Sequence, residues 1–405
     1  TKGRFEYETS KDLNKFSENP KEFKRDFNPR HGSVISLTAD ELTRVQERWG
    51  YVLKHDIVSN GNPLFRHKFT ADPSVLVKGD TLWLFAGEDF EGNQRGYHME
   101  NWLVFSTTDM KNWTEYPAPL RAVDFKWASR NAYAGHVTER NGKYYWYVST
   151  NTTGIGVAVA DRPEGPYKDA IGKPLLTNKD CFASKHSWAC IDPAVFIDDD
   201  GKVYGYWGFK DAYAAELDPV TMATVKSGAK VHEKYLNSKS EPGIYRFFEA
   251  SSMRKIKDKY VLIYSRHTGD NEFGLPVSNY TLAYAYSSSP LGPFTYGGTI
   301  IDGRGRDINE NGTPIFTAHP NGNTHGSICE INGKWWVFYH RQVGLDEYSR
   351  QAMVAPITVD VTEGADGKVV ISEAEYTSEG FCVNGLNPLK RHSAGIACYY
   401  TGPKP

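Results

Sequence analysis

Three acidic residues open three similar segments of the chain: Asp72 in TADPSVLV, Asp192 in IDPAVFID and Glu249 in FFEASSMRKI. A tight-turn signal and an aromatic-rich apolar run follow each of them. An Asp-Pro pair by itself often begins a turn or caps a backbone, and a lone Glu can be a satisfied buried carboxyl. Equivalent positions of a structural repeat converge on one axis, however. Their shared phase therefore favours a joint acid/base site.

The elements that must position these acids are hairpins, and five segments share the layout of short apolar strand, turn and aromatic strand. Asn-Gly and Asp-Gly pairs are strong hairpin signals because both central residues of a type I′ turn need positive φ. The five segments are ADPSVLVKGDTLWLFAG, YAGHVTERNGKYYWYVS, IDPAVFIDDDGKVYGYWG, FEASSMRKIKDKYVLIYS and THGSICEINGKWWVFYH. A further pair of strands follows each hairpin. Four strands in each of five units predict an all-β, five-bladed β-propeller.

The two ends of the chain do not match the repeat. We read residues 1–64 as an N-terminal extension packed on the propeller, and it contains one short predicted helix where Thr38 and Glu41 form a capping box. Residues 65–361 form the predicted propeller, and residues 362–405 supply a closing strand and a tail.

Composition excludes several classes of partner. The chain of 405 residues has a formal net charge of −2 and no basic stripe, which argues against nucleic acid. No apolar stretch approaches the roughly 20 residues of a membrane span. Aromatic residues make up 14% of the chain, and their flat faces suit sugar rings as well as ordinary strands. The oligomeric state is not predicted.

Five cysteines, at positions 181, 190, 329, 382 and 398, show no CxxC metal spacing. Cys181 and Cys190 bracket a short loop that leads into Asp192, and a disulfide and two free thiols are both open. The chain starts at Thr1 without a signal sequence, which fits a cytosolic protein and a mature secreted one equally.

On the motifs ADPS, IDPAVF and the Glu of FFEASSMRK, the sequence resembles glycoside hydrolase family 43 over roughly residues 65–360. The resemblance implies an inverting mechanism. Asp72 would be the general base, Glu249 the general acid, and Asp192 the residue that orients Glu249 and tunes its pKa. Inversion needs carboxyls about 6.5–9.5 Å apart, so that a water fits beside the sugar. The Asn-Asp-Pro-Asn-Gly signature of the related retaining propellers is absent, since Ala71 precedes Asp72.

Four further residues complete the predicted site. The resemblance implies that His325 lies near the axis and ligates a structural Ca²⁺ together with waters, although calcium prefers oxygen and a lone His is often structural. It also implies that Arg350 hydrogen-bonds the sugar, with a surface charge before a strand as the alternative. Tyr133 and Trp188 are expected to form walls of the pocket.

The resemblance implies an inverting exo-glycosidase that releases a terminal pentose, α-L-arabinofuranose or β-D-xylose, from plant polysaccharide or oligosaccharide. Inserts at 88–101 and 266–279 are expected to shape the pocket rim. The alternatives are an exo-acting galactosidase or galactanase of the same family and a non-catalytic carbohydrate-binding propeller. A protein-interaction propeller would not need phased axial acids. We expect a secreted or periplasmic location rather than a cytoplasmic one.

Overall fold

The structure is a computed structural model that describes residues 6–7, 21–22, 55–90, 96–151, 154–181, 188–269, 272, 280–303, 307–308, 314–317, 322–343, 346–382, 388–391 and 399–400. The chain divides into two compact units, Thr1–Val52 and Leu53–Pro405. In the first unit, β1 (Glu6–Tyr7) pairs with β2 (Lys21–Glu22). The helix predicted at Thr38 lies outside the described residues.

The second unit consists mainly of antiparallel sheets, and five of them are the blades of a propeller. Blade one contains β3 (His55–Val58), β4 (Ala71–Lys78), β5 (Thr81–Asp89), β6 (Met99–Thr107) and β7 (Asn112–Arg121). Blade two contains β8 (Gly135–Arg140), β9 (Lys143–Thr150), β10 (Gly154–Ala160), β11 (Lys168–Asp169) and β12 (Leu176–Thr177). Blade three contains β13 (Ala194–Ile197), β14 (Val203–Trp207), β15 (Tyr213–Leu217) and β16 (His232–Glu233). Blade four contains β17 (Phe247–Ile256), β18 (Lys259–His267), β19 (Tyr280–Ser287) and β20 (Thr295–Asp302).

The remaining elements follow blade four in the chain or connect the blades. β21 (Asp307–Ile308), β22 (Pro314–Thr317) and β28 (Tyr399–Tyr400) form a separate sheet. Blade five contains β23 (Gly326–Ile331), β24 (Lys334–Gln342) and β25 (Arg350–Ile357). β26 (Val359–Val361) pairs with β27 (Val369–Ile371), and two 3₁₀ turns lie at Ala122–Asp124 and Asn178–Asp180. Among the described residues, no helix is long and apolar enough to cross a membrane.

The predicted hairpins form the inner half of every blade. The turns at Asn141-Gly142 and Asn332-Gly333 have positive φ at both residues, as a type I′ turn requires. The first strand of each hairpin contacts the first strand of the next, and β23 of blade five returns to β4 of blade one. This closed circle of inner strands confirms the five-bladed propeller and brings the beginnings of those strands to one axis.

The hydrophobic core lies in the wedges between neighbouring blades. Phe85 of blade one and Trp146 of blade two are fully buried, and their rings meet edge to face with centroids 5.1 Å apart. Separate clusters of the same kind join blades three and four, four and five, and five and one. The aromatic runs of the sequence therefore hold adjacent blades at fixed positions, which the site at the axis requires.

The outer edge of blade five is completed from the N-terminal side of the unit. Leu64 and Thr70 donate backbone hydrogen bonds to the carbonyls of Ala352 and Arg350, and the Asn62 side chain bonds Val354 in both directions. β27, which lies within residues 362–405, pairs with β26. The chain therefore ties its first blade to its last through residues 62–70. The boundaries at 64 and 361 stay a prediction.

Candidate active site

A cavity of about 350 Å³ lies where the inner strands begin. All seven residues that the sequence singled out line it, and the structure thus brings together the acids of blades one, three and four. The lining residues are Asp72, Tyr97, Tyr133, Ala134, Trp188, Ile191, Asp192, Phe209, Phe248, Glu249, Tyr280, Asn323, His325 and Arg350.

Each acid sits at an irregular point of the backbone. Asp72 and Asp192 have φ of 53° and 55°, and Ala250, directly after Glu249, has φ of 64°. The β4–β5 pairing shifts register between Ala71 and Ser74, and the β17–β18 pairing shifts after Glu249. Asp tolerates the left-handed region better than most residues, and such irregularities re-aim side chains. The positive φ angles and the register shifts together therefore turn these carboxyls toward the axis.

The backbone of each aspartate is held by the blade before it in the ring. The amide of Asp72 donates to Nδ1 of His340 in blade five, at 3.1 Å. The amide of Asp192 donates to the Ser149 hydroxyl of blade two, at 2.7 Å. His340 and Ser149 both lie near the end of an aromatic middle strand. The acids are consequently positioned by contacts between blades as well as by their own hairpins.

Arg350 links the proposed base to a fourth acid. Its Nη1 lies 2.9 Å from Oδ1 of Asp72, while Nε and Nη2 donate to the two oxygens of Asp89 at 2.9 and 2.8 Å. Its guanidinium also lies over the ring of Tyr97, 4.7 Å from the centroid. The arginine is 2% exposed, so the alternative of a surface charge is wrong.

The hydrogen bonds of His340 define its protonation. Nδ1 accepts the amide of Asp72, and Nε2 lies 2.9 Å from the carbonyl oxygen of Asn323, which can only accept. The neutral tautomer with hydrogen on Nε2 fits both contacts. Nδ1 also lies 3.2 Å from Oδ1 of Asp72, a contact that would be favourable only for a ring protonated on Nδ1. We assign the neutral ring, because Nδ1 cannot both accept and donate.

Charge divides the three acids into two environments. Burial alone would raise the pKa of Asp72, but the charge of Arg350 brings that pKa well below its usual range. Burial and the charge of Asp72 raise the pKa of Glu249 to about 8, against hydrogen bonds from Asn323 and Tyr280. Burial and the charge of Glu249 also raise the pKa of Asp192.

An ionised carboxylate thus faces a carboxyl pair that keeps a proton near neutral pH. This combination is what general base and general acid catalysis need at one site. Asp192 accepts a backbone hydrogen bond from Ala250, the neighbour of Glu249, which couples the positions of the two acids.

Aromatic rings form the walls of the cavity. Tyr133 and Trp188 are stacked, with centroids 5.7 Å apart and planes at 19°. Phe248 meets Phe209 and Tyr280 edge to face, at 5.0 and 5.2 Å. Flat apolar faces with polar edges suit a sugar ring, whose carbon–hydrogen faces are apolar and whose hydroxyls lie at its edge. Residue Tyr97, from the predicted insert 88–101, is part of this rim, whereas 91–95 and most of 270–279 lie outside the described residues.

Sequence reasoning missed several residues that shape the site. Asp89 is the last residue of β5, and His340 lies near the end of β24. Asn323 precedes the fifth inner strand, and Phe248 adjoins Glu249. The signal that could have found Asp89 and His340 is a polar residue that ends an aromatic run. This signal recurs in blades one, two and five, where Ser149 is the third example.

The donors around His325 are few. Its Nδ1 lies 3.7 Å from Oδ1 of Asp72 and 3.9 Å from Oδ2 of Asp192. Asp72 already contacts Arg350 and His340, so the donor set is poor in free oxygen ligands. A Ca²⁺ ion here would take most of its six to eight ligands from water.

Cys181 and Cys190 are both buried free thiols, so the structure contains two thiols rather than a bridge. The Trp207 indole donates to Sγ of Cys181. Cys398 lies outside the described residues.

Comparison with known proteins agrees with the geometry. The family model described as Glycosyl hydrolases family 43 matches residues 61–364. An arabinoxylan arabinofuranohydrolase from Paenibacillus polymyxa is 30% identical over 85% of this chain, which spans 56% of that longer protein. Xylosidase/arabinosidase 43A from Humicola insolens is 30% identical over 77% of this chain and 99% of its own length.

A solved structure of a β-xylosidase/α-arabinofuranosidase from a compost microbial metagenome, in complex with xylotriose and in a calcium-free form, is also similar. It has 28% sequence identity and a TM-score of 0.57, and the match covers 79% of this chain and 99% of that one. The fold, the clustered carboxyls and the match over residues 61–364 agree, and the chain belongs to glycosyl hydrolase family 43.

Proposed function

We propose that the protein is an inverting, exo-acting glycosidase that releases a terminal pentose from plant polysaccharide or oligosaccharide. The observation that carries this proposal is the division of charge across one cavity. Arg350 keeps Asp72 ionised, while burial and mutual repulsion keep a proton on the pair formed by Asp192 and Glu249.

In the proposed mechanism, Asp72 accepts a proton from a water molecule as that water attacks the anomeric carbon. Glu249 donates its proton to the glycosidic oxygen, and the bond between that oxygen and the anomeric carbon breaks. Asp192 accepts the backbone hydrogen bond of Ala250, which positions Glu249, and repulsion between the two carboxyls helps to keep a proton on the pair. Attack and departure on opposite faces of the sugar invert the anomeric configuration. Nε and Nη2 of Arg350 are bound to Asp89, so they cannot form a pair of hydrogen bonds to the sugar. Arg350 lines the cavity, and its Nη1 donates to Asp72.

The size and walls of the cavity support exo action on a small sugar. A volume of about 350 Å³ is near the lower limit of ligand sites, which run from about 300 to 1,000 Å³. The stacked pair of Tyr133 and Trp188 bounds it on one side. The names of the similar proteins include both arabinofuranosidases and xylosidases, and one similar structure holds xylotriose. These names favour α-L-arabinofuranose and β-D-xylose as the candidate sugars for this chain.

The proposal also includes a bound Ca²⁺ ion and a cellular location. His325 would give a Ca²⁺ ion one ring nitrogen and waters would give the rest, and the ion would add positive charge beside Asp72 and Asp192. That a similar structure is titled a calcium-free form supports calcium in relatives. A plant cell-wall substrate supports a secreted or periplasmic location.

The test is a panel of aryl α-L-arabinofuranosides, β-D-xylosides and galactosides together with arabinoxylan, arabinan and galactan. We expect release of a single pentose, and NMR of the first-formed sugar should show the inverted anomer. Release of galactose alone would favour the galactosidase reading. Retention of configuration would refute the inverting assignment but not the glycosidase.

Substitution of the two key acids separates catalysis from binding. Asp72→Asn and Glu249→Gln should each lower kcat while the protein still binds xylo-oligosaccharide by calorimetry. If the wild type binds oligosaccharide and hydrolyses nothing in the panel, the chain is a carbohydrate-binding propeller and the enzyme proposal fails.

A further inference from the structure

We propose that His55, His67 and Glu115 form a binding site for a divalent transition metal of the zinc class at the outer edge of blade one. The ligand atoms of these three side chains lie within 4.8 Å of one another. None of the three lines the cavity at the axis, so this site is separate from the proposed catalytic centre.

The fold fixes the relative positions of these side chains. In the pairing of β3 with β7, His55 stands directly opposite Glu115. His67 belongs to the stretch between β3 and β4, the same stretch whose residues 62–70 run along blade five. Three separated parts of the chain therefore meet at one carboxylate oxygen.

The distances suit a tetrahedral ion. Oε2 of Glu115 lies 3.2 Å from Nδ1 of His55 and 2.8 Å from Nε2 of His67. Zinc binds imidazole nitrogen and carboxylate oxygen at about 2.0–2.2 Å, and ligands at tetrahedral angles then stand about 3.3 Å apart. Small adjustments of the exposed rings would bring the three atoms to that spacing. His55 has a side chain 63% exposed, so a fourth position is open to water.

The charge around Glu115 prepares it to be a ligand. Its side chain is 8% exposed, and Nζ of Lys68 lies 2.8 Å from Oε1. The lysine thus occupies one oxygen and leaves Oε2 to the histidines. A carboxylate with two imidazoles is one of the ligand sets that hold zinc, whereas calcium prefers oxygen ligands alone.

The same contacts also exist without a metal, as hydrogen bonds from the imidazoles to the carboxylate. Metal binding differs from that state in a measurable way. An ion that ligates all three side chains joins β3, β7 and the chain before β4, so it should stabilise the folded protein by mass action. Hydrogen bonds alone give no dependence of stability on zinc.

The experiment is titration of the metal-free full chain with Zn²⁺ by calorimetry, with thermal unfolding measured in parallel. We expect one site whose occupation raises Tm in the wild type, and we expect both signals to be lost in His55→Gln and in His67→Gln. His232→Gln, at a half-buried histidine on blade three, is the matched control and should bind like the wild type. Titration with Ca²⁺ should leave the wild type without binding at this site, so the two histidine variants should respond to Ca²⁺ as the wild type does.

Two results would overturn the proposal. One is the absence of zinc binding to the wild type. The other is binding that survives both histidine substitutions, which would place the ion elsewhere, for example at the axis beside His325. His55 is exposed and its replacement should not impair folding, so the test stands even if His67→Gln folds poorly.

Discussion

Arg350 and Asp89 form a two-point ion pair in which both side chains are buried. Nε and Nη2 of the arginine donate to the two carboxylate oxygens at 2.9 and 2.8 Å, and the backbone amide of Arg350 donates to Asp89 as well. The third guanidinium nitrogen, Nη1, is thereby aimed at Asp72. Asp89 does not line the cavity, so it acts on the proposed base through the arginine.

Asp89→Asn should impair catalysis, although Asp89 does not contact the substrate. The guanidinium loses its fixed partner, Asp72 loses part of its stabilisation, and the pKa of Asp72 should rise. We expect the acid limb of kcat/KM against pH to move toward neutral pH. Loss of one charge of a buried pair should also cost as much as about 3–5 kcal/mol of unfolding free energy.

The matched control is Asp366→Asn, which removes an exposed aspartate and should leave both the pH profile and the stability unchanged. A merely structural role for Asp89 would lower stability and leave the acid limb in place. That outcome would contradict the positioning role.

Glu249→Gln should reveal the proton donor through the leaving group. Without the acid, natural linkages with poor leaving groups should be cleaved about 10²- to 10⁴-fold more slowly, since this is the usual contribution of general acid catalysis. Aryl glycosides with good leaving groups need little protonation and should lose much less. In the wild type the alkaline limb should lie near the raised pKa of Glu249, about 8. Equal losses on both kinds of substrate would show that Glu249 is not the acid.

The sequence was sufficient to predict the five blades and the clustering of the three acids at the axis, because both follow from a repeat. A type I′ turn needs residues that accept positive φ. The pairs Asn141-Gly142 and Asn332-Gly333 meet this need, so these turns can be predicted from the local sequence. Closure of the circle then brings Asp72, Asp192 and Glu249 together, since they open equivalent strands.

Contacts between distant parts of the chain could not be predicted from the sequence in the same way. The pairing of Asp89 with Arg350 joins residues 261 positions apart, and the edge of blade five is completed by residues 62–70. Neither depends on a local pattern. The sequence predicted a closing strand from residues 362–405, but not that residues 62–70 would pair with the edge of blade five.

Removal of calcium tests the prediction for His325. If the imidazole and waters hold Ca²⁺ near the axis, treatment of the full chain with a calcium-selective chelator should lower Tm, and added Ca²⁺ should restore it. His325→Ala should make Tm independent of Ca²⁺. A wild type whose Tm and activity ignore both chelator and Ca²⁺ would show that His325 has a structural role only.

Trp188→Ala should weaken substrate binding more than the chemical step. Trp188 is 37% exposed and stacks on Tyr133, so its ring supplies a wall and leaves the acids in place. Aromatic contacts of this kind are worth about 0.5–1.5 kcal/mol, which corresponds to an increase in KM of about 2- to 10-fold. Trp188→Phe keeps a flat apolar face and should recover most of the loss. A fall in kcat with unchanged KM would show instead that Trp188 stabilises the transition state.

The raised pKa of Glu249 predicts how stability changes with pH. Its pKa is 4.5 in the ordinary case and about 8 in the folded protein. Between these values the folded state binds the proton more tightly than the unfolded chain does. The favourable contribution is therefore complete below pH 4.5 and is lost as the pH rises toward 8.

Glu249→Gln removes this titration, so the variant should gain stability relative to the wild type as the pH rises from 5 to 8. The difference should grow by at most about 1.4 kcal/mol per pH unit for one proton. Subtraction of the two curves cancels His136 and His325, whose pKa values burial lowers in both proteins. Glu363→Gln, at an exposed position, should follow the wild type throughout. A constant difference between Glu249→Gln and wild type across this range, measured by urea unfolding, would mean that the substitution removes no bound proton from the pair formed by Asp192 and Glu249.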